Sequence, residues 1–423
     1  MQAVLSHSRS ELGRGGVKYA RFFMLIYLCD QILSSNLGAG IGAALAIASF
    51  GIYKYRHRTA YPYPLPGNVS AGVFLAGFLL YQVLSLINAP ADCDAGGKYF
   101  FSVILFFTLL WSSRWMSPEA AIFNWKSTRI LLWSVVVTLL LGRIGFDLMT
   151  VAGHEPRIPT GFFSEPSHMA LYVMPLIFYR LFWNIKDKLA WSVATLILLL
   201  ASSTTLFVGM FLFLFTRFFL GVQGKLLAWI VPAVVGGSFL LFIFVLAPLF
   251  EEIPLFARVI GLLNSSSDGI VNMSSAVWLN GWSQAYAHFE ATSGLGVGFT
   301  QMGCGNLATS GHLSPLLALS SPDGLVVNSK DGSFLLSKIV SEFGLVGLAV
   351  CAYLSKVAFT NLRNLATLYK GAINVAPRVF NDMVWRATGA LTILSYLYVR
   401  GLSYFNIPVL MAFYLLRPRK NQN

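Results

Sequence analysis

The chain has 423 residues, of which 56% are hydrophobic and 14% aromatic but only 11% charged, where a soluble protein carries roughly a quarter charged residues. With a mean hydropathy of +0.67, it does not divide into water-soluble domains and reads as a single integral membrane domain over residues 1–423. The formal charge of +13 would suggest nucleic acid on a folded surface, but the Lys and Arg cluster between apolar runs. They report topology, and no nucleic-acid partner is expected.

Residues 1–20 are polar and basic, and the first apolar run lacks a small-residue cleavage pattern, so it is expected to stay as a helix rather than leave as a signal. A spanning helix needs about 20 mostly apolar residues, because lipid offers no partner to a free backbone N–H or C=O. About twelve such runs follow in chain order. They lie near 21–38, 39–53, 69–88, 98–113, 129–150, 166–184, 188–202, 204–222, 226–248, 334–356, 384–399 and 402–416. The expected fold is therefore all-α and polytopic. With both termini cytoplasmic, most of the 30 Lys and Arg fall on the inner side, and the outer half keeps Lys98, Arg143, Arg157, Arg258, Lys330, Lys338 and Arg400. Inverting the orientation would reverse that bias.

Charges held against the bias carry the functional reading, since an ionisable group near hydrocarbon usually faces a polar cavity. In the first helix Asp30 is such a group, with no evident partner. Arg143 lies one turn before Asp147 in LLLGRIGFDLM; the two form either a self-neutralising i, i+4 pair or, through Arg143, an anion clamp. The segment from Arg157 to Ala170, RIPTGFFSEPSHMA, starts a helix: Ser164 suits the N-cap, Glu165 the first-turn acid, and Pro166 the first turn. Its free N–H groups and positive dipole end favour an anion. Glu165 and His168, three apart, share a face, and either can take a proton from a hydroxyl. The alternative is that Glu165 only complements the dipole and His168 only bonds a neighbour.

Further along, Ser202 to Thr205 (SSTT) turns the chain between two paired helices. Residues 249–333, roughly 85, form an outer segment far longer than an ordinary link, and should fold as a small helical cap. Within it, Arg258 and Asp268 flank a serine-rich stretch. Ser275 to Ala291 has aromatics at helical spacing, Trp278 and Trp282 among them, and is expected to lie as an amphipathic helix on the membrane surface. His288 and Glu290 on that helix read as solvated. Gly294 to Phe299 (GLGVGF) then turns the chain. Asp331 precedes the next span as a cap or a base, and Lys338 and Glu342 lie one turn apart inside it. Arg400, in a short outer turn between the last two helices, is either a snorkelling anchor or a site residue. Four cysteines without CxxC or Cys/His spacing exclude a zinc or haem site built on them. Cys93 and Cys304 fall on the outer side, where a disulfide can form, and Cys29 and Cys351 lie in helices.

R-x-P-x-G-F-x-x-E-P-S-H from Arg157 to His168, the SSTT turn, the long outer loop with W-x-x-x-W and GLGVGF, and the closing DGSFLLSKIVSEFGLVGL from Asp331 to Leu348 together resemble bacterial O-antigen polymerases of the Wzy type. The resemblance covers roughly residues 130–350 and implies a GT-C-like membrane glycosyltransferase of the inner membrane, in lipopolysaccharide biosynthesis, with its active face in the periplasm. It implies transfer of a growing glycan from undecaprenyl diphosphate to the non-reducing end of a lipid-linked repeat unit, with no nucleotide sugar, metal or other cofactor, in contact with membrane lipid and with a chain-length regulator as partner. O-antigen ligases share the layout, but ligases carry a histidine where this chain has Asp331 and an arginine on the cap helix near Trp278; those departures favour the polymerase. A diphosphate leaves readily, so the protein has mainly to hold its charge. Arg143, Arg157, Arg258, Arg400 and Lys338 are the expected substrate contacts, with Trp278 and Trp282 stacking on sugars or packing the cap. Glu165, His168 and, less favoured, Asp331 are the expected bases. A secondary transporter or lipid flippase is the alternative from another class, and would show paired halves and broken helices.

Overall fold

A computed structural model of the chain describes residues 14–37, 40–46, 48–49, 77–85, 87, 102–106, 124–151, 160–163, 165–219, 273–303, 310–319, 332–370, 377–401 and 403–416. Among the described residues the protein is all-helical, with no strand. In chain order the helices are α1 (Arg14–Leu37), α2 (Trp125–Arg143), α3 (Leu148–Val151), α4 (Pro166–Trp183), α5 (Lys188–Ala201), α6 (Thr204–Phe219), α7 (Met273–Ala291), α8 (Ser314–Leu319), α9 (Leu335–Lys370), α10 (Pro377–Tyr398) and α11 (Ile407–Leu415). Residues 41–46, 77–85 and 102–106 are also helical. By length and composition, α2 and Leu335–Tyr369 of α9 are apolar enough to cross a membrane, and α5 and α6 are apolar but shorter. The expected run at 226–248 lies outside the described residues.

Helix α4 is the hub. Every residue from Met169 to Phe182 is buried, and the helix touches α2, α5, α6, α10 and α11. At Gly209 of α6 an added Cβ would lie 2.2 Å from Met174 Sδ, so a side chain there would require Met174 to shift. Pro175 sits inside α4, where a proline removes the N–H that would serve the carbonyl four residues back. That carbonyl, Leu171 O, accepts instead from the Tyr396 hydroxyl of α10 at 2.5 Å, and the next, Tyr172 O, accepts from Tyr27 of α1 at 2.6 Å. Two buried tyrosines thus bond the carbonyls beside Pro175 and tie three helices at one level.

Helix α9 is interrupted in a different way. Gly344 adopts φ 52 and ψ −128, which is not helical. The carbonyls that the break releases are met from outside the helix. Ser341 O accepts from Val297 N at 2.9 Å, Glu342 O from Gly298 N at 3.0 Å, and Phe343 O from the Tyr81 hydroxyl at 2.5 Å. In return Leu345 N donates to Gly294 O at 2.8 Å. The glycine-rich stretch after α7 therefore fills the break in the first third of α9. A Cβ at Gly344 would lie 1.9 Å from Gly294 O, so the close approach needs a glycine there. The helix also runs to Lys370, beyond the end at 356 expected from hydropathy.

At the opposite end of α4 from Pro166, Arg180 forms an ion pair with Asp187 at 2.7 Å, stands 3.7 Å over the Trp125 ring and donates to Trp125 O at 3.1 Å. Asp187 also caps α5, accepting from Leu189 N at 2.9 Å. The SSTT turn between α5 and α6 falls where the sequence puts it, with Ser202 in the left-handed region at φ 50. Helix α7 packs on α9, its Gly281 directly over Gly332.

Candidate functional site

The start of α4 is set by Pro166, which occupies the first helical position. A proline forces its predecessor into extended backbone, and Glu165 accordingly has φ −144 and ψ 152. Glu165, not Ser164, is therefore the residue that precedes the helix; Ser164 lies outside the described residues. The Glu165 side chain makes no cap hydrogen bond. Its Oε2 instead accepts from Ser167 Oγ at 2.9 Å and pairs with Arg400 Nη2 at 3.3 Å. The carboxylate side chain is 52% exposed and the guanidinium 12%, so the pair opens outward from a buried base.

One turn into α4, His168 is partly exposed and its Nδ1 lies 2.5 Å from Gln31 Nε2 of α1. A turn deeper, Tyr172 donates to Asp30 Oδ2 at 2.5 Å. The same oxygen accepts from Ile407 N at 3.1 Å and Asn406 Nδ2 at 3.3 Å, and Asn406 also reaches Tyr172 OH at 3.1 Å. Asp30 is wholly buried, and it satisfies the first N–H of α11 while setting a negative charge at that helix's positive end. Residues 168 and 172 fall along one face of α4, and Glu165 stands immediately before its start. The N-terminus of α11 is already taken by the Asp30 carboxylate, whereas Arg400, on the turn leading into α11, stands at the start of α4. The arrangement can hold an anion and offers an imidazole beside it.

The other expected residues divide. Arg143 is exposed and makes no ion pair among the described residues. The Arg143–Asp147 pair does not form, because α2 ends at Arg143 and the i, i+4 geometry ends with it. Asp147 is buried and accepts from Thr160 N at 2.9 Å and Gly161 N at 3.0 Å. Lys338 and Glu342 do approach, at 3.8 Å, both buried, with Lys338 also 5.1 Å from the Tyr404 ring centroid. Trp278 donates its Nε1–H to Tyr398 O at 3.1 Å, and Trp278 and Trp282 lie 5.7 and 4.9 Å from the Phe334 ring. They lock α7 against the start of α9 and the end of α10. His288, expected at a solvated surface, is fully buried, whereas Glu290 is exposed as expected. The helix has one face on α9, and His288 lies on it. Arg157, Arg258, Asp268, Asp331, Cys93 and Cys304 lie outside the described residues. Cys29 and Cys351 are free, within helices.

Gln31, Tyr172 and Asn406 were not singled out from sequence. The signal was present for the first: Asp30-Gln31 is a polar pair in an otherwise apolar run. Among the described residues no group of His, Cys, Asp and Glu is arranged to hold a metal ion. No family model matches the chain, and no curated protein matches it.

Proposed function

We propose that the protein is an O-antigen polymerase of the Wzy type, a multi-pass protein of the bacterial inner membrane with about twelve spans. Both termini are cytoplasmic in this reading, and the active face is periplasmic. The enzyme passes a growing glycan from undecaprenyl diphosphate to the non-reducing end of a lipid-linked repeat unit, and uses no cofactor. The observation that carries the reading is the meeting of Arg400, Glu165 and His168 at the start of α4.

A guanidinium beside the N-terminus of α4 suits a diphosphate, whose charge grows as its bond to the sugar breaks. An imidazole one turn away suits an acceptor hydroxyl, which is a poor nucleophile until its proton is taken. In the step, the acceptor oxygen bonds to the anomeric carbon and the carbon–oxygen bond to the diphosphate breaks. The electron pair leaves with undecaprenyl diphosphate, and the hydroxyl proton goes to His168. Trp282 packs on Phe334 and Lys338 lies 5.1 Å from the Tyr404 ring, and Arg157, Arg258 and Asp331 complete the expected set. A chain-length regulator belongs to this reading as the partner that ends elongation.

The test incubates purified protein with a defined undecaprenyl-diphosphate oligosaccharide. A ladder of products supports the polymerase; transfer only to lipid A core means a ligase. Glu165→Ala and Arg400→Ala abolish the ladder at unchanged abundance, a loss of about 100- to 1,000-fold. Wild-type ladders from both variants sink the site.

A second reading, transport, draws on the break at Gly344 with a buried charged pair beside it, a pattern typical of transporters. Movement of a fluorescent lipid-linked oligosaccharide between leaflets of proteoliposomes, without any ladder, would replace the enzyme by a flippase.

A further inference from the structure

The end of α4 away from Pro166 gathers charge that the reaction does not use. There the start of α2, the end of α4 and the start of α5 meet, because Arg180 stands over the Trp125 ring, donates to Trp125 O and pairs with Asp187. Lys126 and Arg129 follow Trp125 on α2, with Arg129 within electrostatic reach of Arg180. Lys186 and Lys188 flank Asp187 in sequence. All four are exposed, and none makes an ion pair among the described residues. The one carboxylate within these three helix ends, Asp187, is already engaged by Arg180. Asp382 of α10, which reaches this end through the contact of Phe380 with Trp183 at 4.9 Å, is paired with Arg386 at 2.7 Å.

The frame that carries these cations is tied on itself. Between α4 and α5, Lys186 N donates to Asn184 Oδ1 at 3.1 Å, Asp187 N to Asn184 O at 2.9 Å, and Trp191 Nε1–H to Ile185 O at 2.7 Å. Beyond Arg129 the same face of α2 turns apolar: Ile130, Trp133, Val137 and Leu140, spaced by three and four residues, are 44%, 51%, 50% and 46% exposed. Trp125, Trp183 and Trp191, one on each helix end, mark the level at which headgroups meet hydrocarbon. Cations at the foot of an open apolar stripe fit a molecule with a phosphate at one end and acyl chains at the other. A soluble anion would use the cations and leave the stripe unexplained.

We propose that Lys126, Arg129, Lys186 and Lys188 form a binding surface for the phosphate of an anionic phospholipid, whose chains lie along the exposed stripe of α2. This rests on the membrane reading of these helices, with this end at the cytoplasmic leaflet, and is independent of glycosyl transfer. The Arg180–Asp187 pair holds the frame and does not itself meet the lipid. A basic residue near an anionic leaflet contributes about fivefold to association, and attraction between exposed charges weakens as salt rises.

The experiment is native mass spectrometry of the full-length protein in detergent with an equal mixture of dioleoyl phosphatidylglycerol and dioleoyl phosphatidylcholine. It compares the parent with three double variants: Lys126→Gln with Arg129→Gln, Lys186→Gln with Lys188→Gln, and, as a control of equal charge, Lys356→Gln with Arg363→Gln at exposed positions of α9. The parent should retain phosphatidylglycerol in preference. Each of the first two variants should cut that preference by up to about 25-fold, and the control by less than about twofold. Equal loss in the control makes the attraction one of net charge alone and overturns the site. Inorganic phosphate that displaces the lipid as well as phosphatidylglycerol does makes this a soluble-anion site and overturns the lipid assignment. If a variant does not fold, judged by melting in detergent, the parent decides: a preference that survives high salt overturns the proposal. Retention of both lipids without preference overturns this inference only, whereas retention of neither overturns the membrane reading with it.

Discussion

The two ends of α4 each hold an arginine–carboxylate pair, and they are built differently. Arg180 and Asp187 are 3% and 4% exposed, with the guanidinium over the Trp125 ring and donating to the carbonyl of the same residue. Glu165 and Arg400 are 52% and 12% exposed, at a longer 3.3 Å. Between His168 and Arg180 the helix rises about 18 Å, so the two pairs lie far apart. A buried pair that also caps α5 and reaches the start of α2 holds helices together. An open pair contributes little to stability and keeps a charge available to a ligand. The comparison separates a clamp from a site on one helix.

The same substitution made at both ends tests that separation most sharply. Arg180→Met strands Asp187 in a buried place, and should cost about 3–5 kcal/mol, seen as a lower melting temperature in detergent and a lower yield. Arg400→Met should change stability by less than about 1 kcal/mol while the product ladder is lost. If the two variants melt alike, the contrast fails. A second, smaller effect belongs to the break in α9. Gly344→Ala places a side chain at positive φ, about 1–2 kcal/mol from that alone, and drives its Cβ toward Gly294 O; melting temperature is again the measure. The smallest concerns α2, whose N-cap Asn124 accepts from Ser127 N at 2.8 Å. Asn124→Ala should cost about 1 kcal/mol and leave the ladder untouched, which sets the scale of a purely local change.

Local structure was legible wherever neighbours in sequence decide it. The start of α4 follows from Pro166, the pairing of α5 and α6 from the SSTT turn, and the glycine-rich turn after α7 from its composition. Ser164 misled because it is a good cap by type, while the proline two residues on shifts the boundary by one. The site itself depends on contacts no local pattern carries. Glu165 and Arg400 are 235 residues apart, and Gln31 and His168 are 137 apart. Arg400 could be flagged as a charge on the wrong side, and Asp30 as a charge in an apolar helix, but their partners could not be named. His288 was misread for a similar reason: hydropathy tells that a helix has two faces, not that a second helix covers one of them.

The hydrogen bonds that fill the gap in α9 come from the stretch joined directly to the cap helix. Since Val297, Gly298 and Gly294 are stitched to both halves of the interrupted helix, α7 has a mechanical linkage to the interior. Any displacement of α7 is therefore opposed by the backbone bonds around Gly344, which tie the cap helix to both halves of the interrupted one.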